Sequence, residues 1–316
     1  MSNINTNSLK FAFFGTSELS VKILEKLIEG SYIPSLVVTT PDKPKGRKMV
    51  LTPPPVKVFA QKNNLKIIQP EKLNSELFQK TDLPGLTSQS LRATMQDGFS
   101  SGYDLFIVAS YGKIIPKSIL DIPKFGTLNV HPSLLPKFRG PSPIQSFILS
   151  GEEETGVTIM LMDEKVDHGT ILAQQNLEVR LPSGLGSRTS KWMNAKELEE
   201  KLAELGGEML VDTIPKWING EIKAKEQDHN EATFTKKITK EDGFVELEKD
   251  SPETIYRKFL AFQPWPGIYY FTQKNARKIR IIITDMELSE SGELKIKKVK
   301  PEGKNEISYE EFLKRK

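Results

Sequence analysis

Short apolar runs alternate with helical patterns through the first two thirds of the chain. Apolar runs of strand length lie at residues 10–14, 35–39, 105–109 and 127–130. After the first of them, residues 21–28 carry apolar side chains at helical spacing. Strands that alternate with helices predict βαβ units on a parallel sheet, as in Rossmann-like α/β domains. Ligands of such sheets bind at the carboxyl ends of the strands.

The pattern changes from about residue 231 onward. Four β-like runs lie at residues 244–247, 268–271, 278–283 and 294–297, and a helical pattern lies near 252–262. These elements predict a small β-barrel or sandwich with one helix. The predicted organisation is an α/β domain at residues 1–208, a helix and linker at 209–228, and a C-terminal β domain at 229–316.

Composition places limits on the class of protein. At 316 residues, with 37% hydrophobic and 27% charged residues, the chain suits a soluble protein of two domains. The net charge of +4 is too small to indicate a nucleic-acid partner by itself. The absence of cysteine excludes disulfides and thiolate metal sites. The polar N-terminus and the lack of a long apolar run predict a cytoplasmic protein that does not enter a membrane.

The turn after the first predicted strand does not have the form of a dinucleotide site. Gly15-Thr16-Ser17 stands there, without the G-x-G-x-x-G spacing that cradles a pyrophosphate. The second predicted strand ends on Thr39 and Thr40 rather than on an acidic residue that could bind a ribose. The sequence therefore argues against a nicotinamide cofactor.

Candidate proton chemistry is concentrated at the end of the fourth predicted strand. The chain has three histidines, and His131 lies two residues beyond Asn129 at that strand end. Residues two apart in an extended segment point to the same side, so both side chains can face one pocket. An isolated Asn-x-His is more often a turn with a surface histidine, and a downstream Asp167 followed by Gly169 strengthens the catalytic interpretation.

The other two histidines carry weaker signals. His168 adjoins Asp167, which raises the question of a metal site. Neighbouring side chains splay apart and no third ligand is evident, so we predict no metal. His229 lies in a polar segment and is expected to be solvated.

Further motifs extend along most of the chain. They are Phe-Gly-Thr at residues 14–16, Pro-Pro-Pro-Val-Lys at 53–57, Tyr-Gly-Lys-Ile-Ile-Pro at 111–116, Asn-Val-His-Pro-Ser-Leu-Leu-Pro at 129–136, Arg-Gly-Pro-Ser-Pro-Ile at 139–144, Glu-Thr-Gly-Val-Thr-Ile at 154–159, Asp-His-Gly at 167–169, Ala-Thr-Phe-Thr-Lys-Lys-Ile at 232–238 and Pro-Trp-Pro-Gly at 264–267. On these motifs the chain resembles the methionyl-tRNA formyltransferase family, within the folate-dependent formyltransferase superfamily. Asn-x-His with a downstream Asp belongs to the whole superfamily, whereas Pro-Pro-Val-Lys and the C-terminal motifs narrow the resemblance to the tRNA enzymes.

The resemblance implies a reaction and a set of catalytic roles. The expected reaction moves a formyl group from 10-formyltetrahydrofolate to the amino group of methionyl initiator tRNA, in translation initiation. Such a transfer passes through a tetrahedral intermediate with negative charge on oxygen, which needs preorganised hydrogen-bond donors. By resemblance, Asn129 donates to the formyl oxygen, His131 serves as acid and oxyanion partner, and Asp167 orients the imidazole.

The resemblance also implies where the substrates and the domains lie. The family places the folate co-substrate near residues 109–110 and against the segment made of Ser133, Leu134, Leu135 and Pro136. Residues 1–208 then form the catalytic domain, with a Rossmann-like parallel sheet, and residues 229–316 form an OB-like β-barrel that binds tRNA. A monomer is the habit of the family.

A basic segment follows the second predicted strand. Residues 41–48 carry Lys43, Lys45, Arg47 and Lys48 among prolines and a glycine. Such a charge run is usually only a solvated loop, but its position puts it at the same edge of the sheet as Asn129. The family uses a basic loop here to engage the acceptor end of the tRNA, so we expect these four side chains to contact RNA phosphates.

Two other functions remain open from the sequence. A formyltransferase acting on an amino sugar or nucleotide-sugar would share the Asn, His and Asp, and a non-catalytic RNA-binding protein could retain a vestigial folate site. The chain also departs from the family pattern in apparent surface insertions near residues 82–102 and 184–193. In addition, its first motif lacks the usual proline and phenylalanine, which leaves the contour of the folate pocket open.

Overall fold

The computed structural model describes residues 9–46, 49–79, 102–181, 191–274, 277–289 and 291–314. The strands are β1 (Phe11–Gly15), β2 (Leu36–Val38), β3 (Lys43–Lys45), β4 (Val50–Thr52), β5 (Ile67–Ile68), β6 (Leu105–Ala109), β7 (Thr127–His131), β8 (Glu154–Leu161), β9 (Ile171–Glu178), β10 (Arg180–Leu181), β11 (Lys191–Trp192), β12 (Ile268–Lys274), β13 (Arg277–Leu288), β14 (Leu294–Pro301) and β15 (Ile307–Ser308). The helices are α1 (Glu18–Glu29), α2 (Pro55–Lys62), α3 (Glu76–Gln79), α4 (Lys117–Leu120), α5 (Pro143–Ser150), α6 (Ala195–Ile218), α7 (Pro252–Ala261) and α8 (Tyr309–Lys314). Both predicted insertions lie mostly outside the described residues.

The larger sheet confirms the predicted Rossmann-like α/β fold. Within the described ranges it has seven strands in the order β5-β2-β1-β6-β7-β8-β9. Neighbouring strands from β5 to β7 run parallel, and β8 is antiparallel to β7. The strands β1, β6 and β7 are buried along their whole length, which explains their continuous apolar runs. The strand order reverses between β1 and β6, so a crevice for ligands is expected at the carboxyl ends of these strands.

Helix α1 is longer than its apolar pattern predicted. Its buried face includes Leu19, Ile23 and Leu27, which lie at helical spacing. The helix begins at Glu18 because Ser17 and Ser20 form a reciprocal capping box at its N-terminus. The Ser20 hydroxyl also donates to the backbone oxygen of Ala109 at 2.6 Å, which joins the start of the helix to the end of β6.

The C-terminal residues form a separate antiparallel sheet. Its strand order in the described part of the chain is β12-β13-β14-β15, and Ile268 pairs with Ile283 across the first two strands. The strand predicted at residues 244–247 is wrong, since only one bridge joins Phe244 to Tyr269. Local hydrogen bonds replace the ladder there, because the Asp250 carboxylate accepts from the backbone N–H of Glu246.

The chain divides into two compact units. The first comprises residues 1–139, 156–175 and 200–233, and it holds most of the larger sheet. The second comprises residues 140–155, 176–199 and 234–316, and it holds the antiparallel C-terminal sheet. None of the helices in the described ranges is both long and apolar enough to cross a bilayer.

Candidate active site

Asn129 and His131 lie at the carboxyl end of β7, where the sequence placed them. Both are almost fully buried, with 8% and 4% of their surface exposed. In the sheet, Asn129 pairs with Val108 of β6 on one side and with Met160 of β8 on the other. An extended backbone with period two puts both polar side chains on one side of the strand.

The two ring nitrogens of His131 face different acceptors. Nε2 lies 3.1 Å from the backbone oxygen of Phe138, and Nδ1 lies 3.6 Å from Oδ1 of Asp167. A backbone carbonyl can only accept, so Nε2 carries a proton in this arrangement. Because the carboxylate also accepts, an imidazolium could donate on both sides. The structure therefore brings Asp167 close to His131, which shares one side of β7 with Asn129.

Backbone constraints hold the segment that carries Asp167. Asp167 has a φ of +48°, which is unusual for a residue other than glycine, asparagine or aspartate. Two residues on, a Cβ at Gly169 would overlap the backbone oxygen of Leu161. Only glycine fits this approach, which gives a physical reason for the Asp-x-Gly motif.

A buried arginine lies near the predicted catalytic side chains. Arg139 is 3% exposed, and its guanidinium donates to Oε1 of Gln227 at 3.1 and 2.6 Å and to Nδ1 of His229 at 2.8 Å. Burial lowers the pKa of Arg139, while the negative charges of Asp167 and Asp163 act in the opposite direction. A guanidinium removed from water needs such acceptors.

His168 and His229 form a second polar cluster in the same unit. Their rings stack with centroids 4.0 Å apart, and Nδ1 of His168 lies 2.6 Å from Oδ2 of Asp163. His229 is exposed, but the expectation that it is merely solvated is wrong, because it also accepts from Arg139. In the described ranges, no three His, Asp or Glu side chains are grouped closely enough to hold a metal ion.

Thr158 on β8 forms hydrogen bonds with the backbone of the segment that is predicted to bind folate. The Thr158 hydroxyl donates to the backbone oxygen of Ser133 at 2.7 Å and accepts from the backbone N–H of Leu135 at 3.1 Å. It also accepts from the amide of Gln174 at 3.0 Å, and that amide donates to the backbone oxygen of Leu135 at 2.7 Å. The backbone of the segment is thus fixed by side chains of two neighbouring strands.

The side chains of the same segment differ in their surroundings. The Ser133 hydroxyl is buried and donates to the backbone oxygen of Lys137 at 2.7 Å. Leu135 is buried in an apolar cluster with Met160, whereas Leu134 and Pro136 are half-buried. The surface that the segment can offer to a ligand therefore comes mainly from Leu134 and Pro136 and from the backbone.

The basic segment after β2 is a hairpin rather than an irregular loop. Strands β3 and β4 pair antiparallel, and Lys43 and Lys45 on β3 are exposed. Arg47 and Lys48 lie outside the described residues. The base of the hairpin is held by Asp42, whose carboxylate accepts from Lys57 at 2.9 and 2.8 Å and from Gln69 at 2.7 Å.

The contacts of Asp42 also explain a motif. The hydrogen bonds from Gln69 and Lys57 hold the pKa of the Asp42 carboxyl below its ordinary value. Lys57 is the last residue of the Pro-Pro-Val-Lys motif, and the prolines before it begin helix α2. The motif therefore places a lysine at the base of the basic hairpin.

Sequence reasoning missed three polar side chains at this site. Thr158 and Gln174 hold the predicted folate segment, and Gln227 contacts Arg139 and the backbone of Asp167. The buried run of β8, in which Thr155 and Thr158 are polar residues among apolar ones, was a usable signal for Thr158. No signal in the sequence marked Gln227, because it lies in a polar stretch without periodicity.

Comparison with known proteins gives the family. The family model described as "Formyl transferase" matches residues 9–214, and "Formyl transferase, C-terminal domain" matches residues 237–293. A methionyl-tRNA formyltransferase of Halalkalibacterium halodurans is 41% identical over 273 residues, which cover 86% of this chain and 77% of that protein. The chain belongs to the methionyl-tRNA formyltransferase family. This confirms the resemblance seen in the motifs, and it makes the chain an enzyme of the transferase class.

Two further comparisons agree with this assignment. The methionyl-tRNA formyltransferase of Enterococcus faecalis is 36% identical over an alignment 324 positions long, and the match covers 96% of this chain and 95% of that protein. An N-formyltransferase from Helicobacter canadensis, solved in complex with folinic acid and dTDP-3-aminofucose, superposes with a TM-score of 0.55. That likeness covers 92% of this chain and 94% of the other at 17% identity, so it shows the shared fold alone.

Proposed function

We propose that this protein transfers the formyl group of 10-formyltetrahydrofolate to the amino group of methionyl initiator tRNA. The observation that carries the proposal is the buried pair of Asn129 and His131 on β7, with the half-buried Asp167 carboxylate 3.6 Å from Nδ1 of His131. Membership of the methionyl-tRNA formyltransferase family supports the choice of acceptor. The expected setting is translation initiation in the cytoplasm, with the protein acting as a monomer.

The geometry supports a direct transfer between two nitrogens. The amine of the methionyl group attacks the formyl carbon, so a C–N bond forms and the carbonyl oxygen becomes an oxyanion. The Asn129 amide would donate to that oxygen, and so would Nδ1–H of the His131 imidazolium, because only Nε2 is already held at hydrogen-bond distance. Collapse of the intermediate breaks the bond to N10 of the folate. The attacking amine loses one proton and N10 gains one, with His131 as the proton carrier.

Asp167 has a supporting role in this scheme. It lies 3.6 Å from Nδ1 of His131, whose Nε2 is held by the backbone oxygen of Phe138. The Phe138 oxygen therefore holds the ring through Nε2, and the Asp167 carboxylate faces the opposite nitrogen. The folate would lie against Ser133, Leu134, Leu135 and Pro136, whose backbone is held by Thr158, and near the end of β6 at residues 109–110.

The proposed tRNA contacts begin with the basic hairpin. Lys43 and Lys45 are exposed on the two-stranded sheet of β3 and β4, which is separate from the large sheet. We expect Arg47 and Lys48 to contact the RNA as well. The hairpin follows β2, so it leaves the sheet at the same edge as the end of β7. Phosphate contacts of this kind would position the acceptor end and make binding sensitive to salt.

The C-terminal domain, residues 229–316 in our assignment, offers a second surface for RNA. Phe244, Tyr269 and Phe271 form a group of rings with centroids 5.6 to 5.9 Å apart. The ammonium of Lys278 lies 4.4 Å from the ring of Phe271, and the guanidinium of Arg280 lies 5.4 Å from that of Tyr269. Rings and cations side by side are typical of surfaces that bind single-stranded nucleic acid.

The deciding experiment offers the enzyme competing acceptors. Purified protein, 10-formyltetrahydrofolate and either charged initiator tRNA or an amino nucleotide-sugar would be incubated, and the formylated product measured. We expect formyl-methionyl-tRNA, and its loss with Asn129→Ala. Faster formylation of the sugar would support an amino-sugar enzyme instead. Binding of tRNA without any transfer would support a non-catalytic RNA-binding protein.

A further inference from the structure

A short stretch of chain between the two matched family regions is part of the site. Residues 227–233, here called the connecting segment, follow the first matched region, which ends at 214, and precede the second, which starts at 237. Thr233 in this segment accepts from the backbone N–H of Phe138 at 2.8 Å and from that of Arg139 at 2.9 Å. The connecting segment thus contacts the backbone that provides the acceptor for Nε2 of His131.

Gln227 is the most constrained residue of the connecting segment. It is 5% exposed, and its oxygen accepts two hydrogen bonds from Arg139. Its nitrogen donates to the backbone oxygens of Asp167 at 3.0 Å and Gly169 at 2.7 Å. The orientation of the amide is unambiguous, because a guanidinium only donates and a backbone carbonyl only accepts. All four hydrogen bonds of the amide are therefore used within the site.

These bonds fix a backbone that would otherwise have alternatives. Asp167 has a left-handed φ, which aspartate tolerates but adopts less often than a right-handed one, so contacts to its neighbours help to hold it there. The Gln227 amide donates to the backbone oxygens of Asp167 and Gly169, and so it holds the chain on both sides of His168. A change in that backbone would move the carboxylate that faces Nδ1 of His131.

We propose that Gln227 is a positioning residue for the Asp167–His131 pair, so that the connecting segment completes the catalytic site. This inference rests on the proposed formyl transfer. Gln227 acts through the backbone of Asp167 and does not touch the reacting atoms. A misplacement of about 1 Å at a catalytic group can cost about 100-fold in rate, so removal of the amide should lower turnover.

The test replaces Gln227 with methionine, which has a similar length and cannot form these hydrogen bonds. We expect kcat for charged tRNA to fall by roughly 10- to 100-fold, with KM for tRNA and for the folate donor within about twofold of wild type. Gln174→Met is the matched comparison, because its two hydrogen bonds hold the predicted folate segment instead. For that variant the expected effect is a raised KM for the donor.

A second measurement separates positioning from a general loss of structure. The chain has three histidines, so ring-labelled protein should give a separate nitrogen NMR signal for His131, assigned with His131→Gln. In Gln227→Met this signal should shift, while folded protein persists by circular dichroism. An unchanged kcat and an unchanged signal would overturn the inference. If the wild-type protein transfers no formyl group, the proposed function is refuted. The NMR comparison would in that case still test whether Gln227 positions the Asp167–His131 pair.

Discussion

Thr158→Val tests whether one hydroxyl holds the segment proposed to bind folate. Thr158 is fully buried, and its hydroxyl donates to the backbone oxygen of Ser133 and accepts from Leu135 and Gln174. Valine has nearly the same shape, so the change removes these hydrogen bonds without leaving a cavity. The two backbone groups would stay buried without partners, whereas the exposed Gln174 amide can turn to water.

The expected destabilisation follows from those two groups. A buried polar group that loses its partner costs about 1–3 kcal/mol, so Thr158→Val should lower the free energy of unfolding by about 2–6 kcal/mol. Thr39→Val is the matched control. Thr39 is also fully buried, but its hydroxyl has no hydrogen-bond partner among the described residues. Replacing an unpaired hydroxyl with a methyl group should leave stability unchanged or raise it.

Urea unfolding followed by tryptophan fluorescence measures the difference. Trp217 lies in the same compact unit as both threonines, and its Nε1 donates to the backbone oxygen of Phe125 at 2.9 Å. Replacement of Trp192 and Trp265 by phenylalanine isolates this reporter. The formyl donor, 10-formyltetrahydrofolate, should also bind more weakly to Thr158→Val than to the wild-type protein. Equal effects of the two valine substitutions on unfolding would refute the reasoning.

Three further predictions concern the catalytic group, the Asp-x-Gly turn and the hairpin. Asn129→Ala should lower the single-turnover rate of formylation by about 100- to 1,000-fold, as for loss of an oxyanion donor, with an unchanged urea midpoint. Gly169→Ala should lower that midpoint, because the new Cβ would overlap the backbone oxygen of Leu161. Joint replacement of Lys43 and Lys45 by alanine should raise KM for tRNA without a change in donor affinity. The slope of log binding constant against log salt concentration should also become shallower, by about one unit for each phosphate that the lysines no longer neutralise.

The elements that the sequence predicted well are those governed by local patterns. The continuous apolar runs of β1 and β6 predict buried parallel strands, because both faces of such a strand are covered. The spacing of Asn129 and His131 predicts a shared side, because strand geometry alone decides it. Both features depend on residues that are near one another in the chain.

The elements that the sequence did not predict depend on distant partners. Gln227 reaches Asp167 from 60 positions away, and no periodic pattern marks such a contact. The hairpin at β3 and β4 was hidden by its prolines and lysines, which are typical of loops, although Asp42 and Lys57 close its base. The run at residues 244–247 has a strand composition, but the hydrogen bond from the backbone N–H of Glu246 to the Asp250 carboxylate turns the backbone away from a ladder.

The closed base of the hairpin makes it an exchangeable module. The ion pair between Asp42 and Lys57 lies outside β3 and β4, so residues 43–52 can change in length and sequence while both anchoring residues stay in place. Because we propose that this hairpin contacts the tRNA, exchange of the stretch between family members should transfer a preference for one tRNA acceptor end and leave the formyl chemistry as it was.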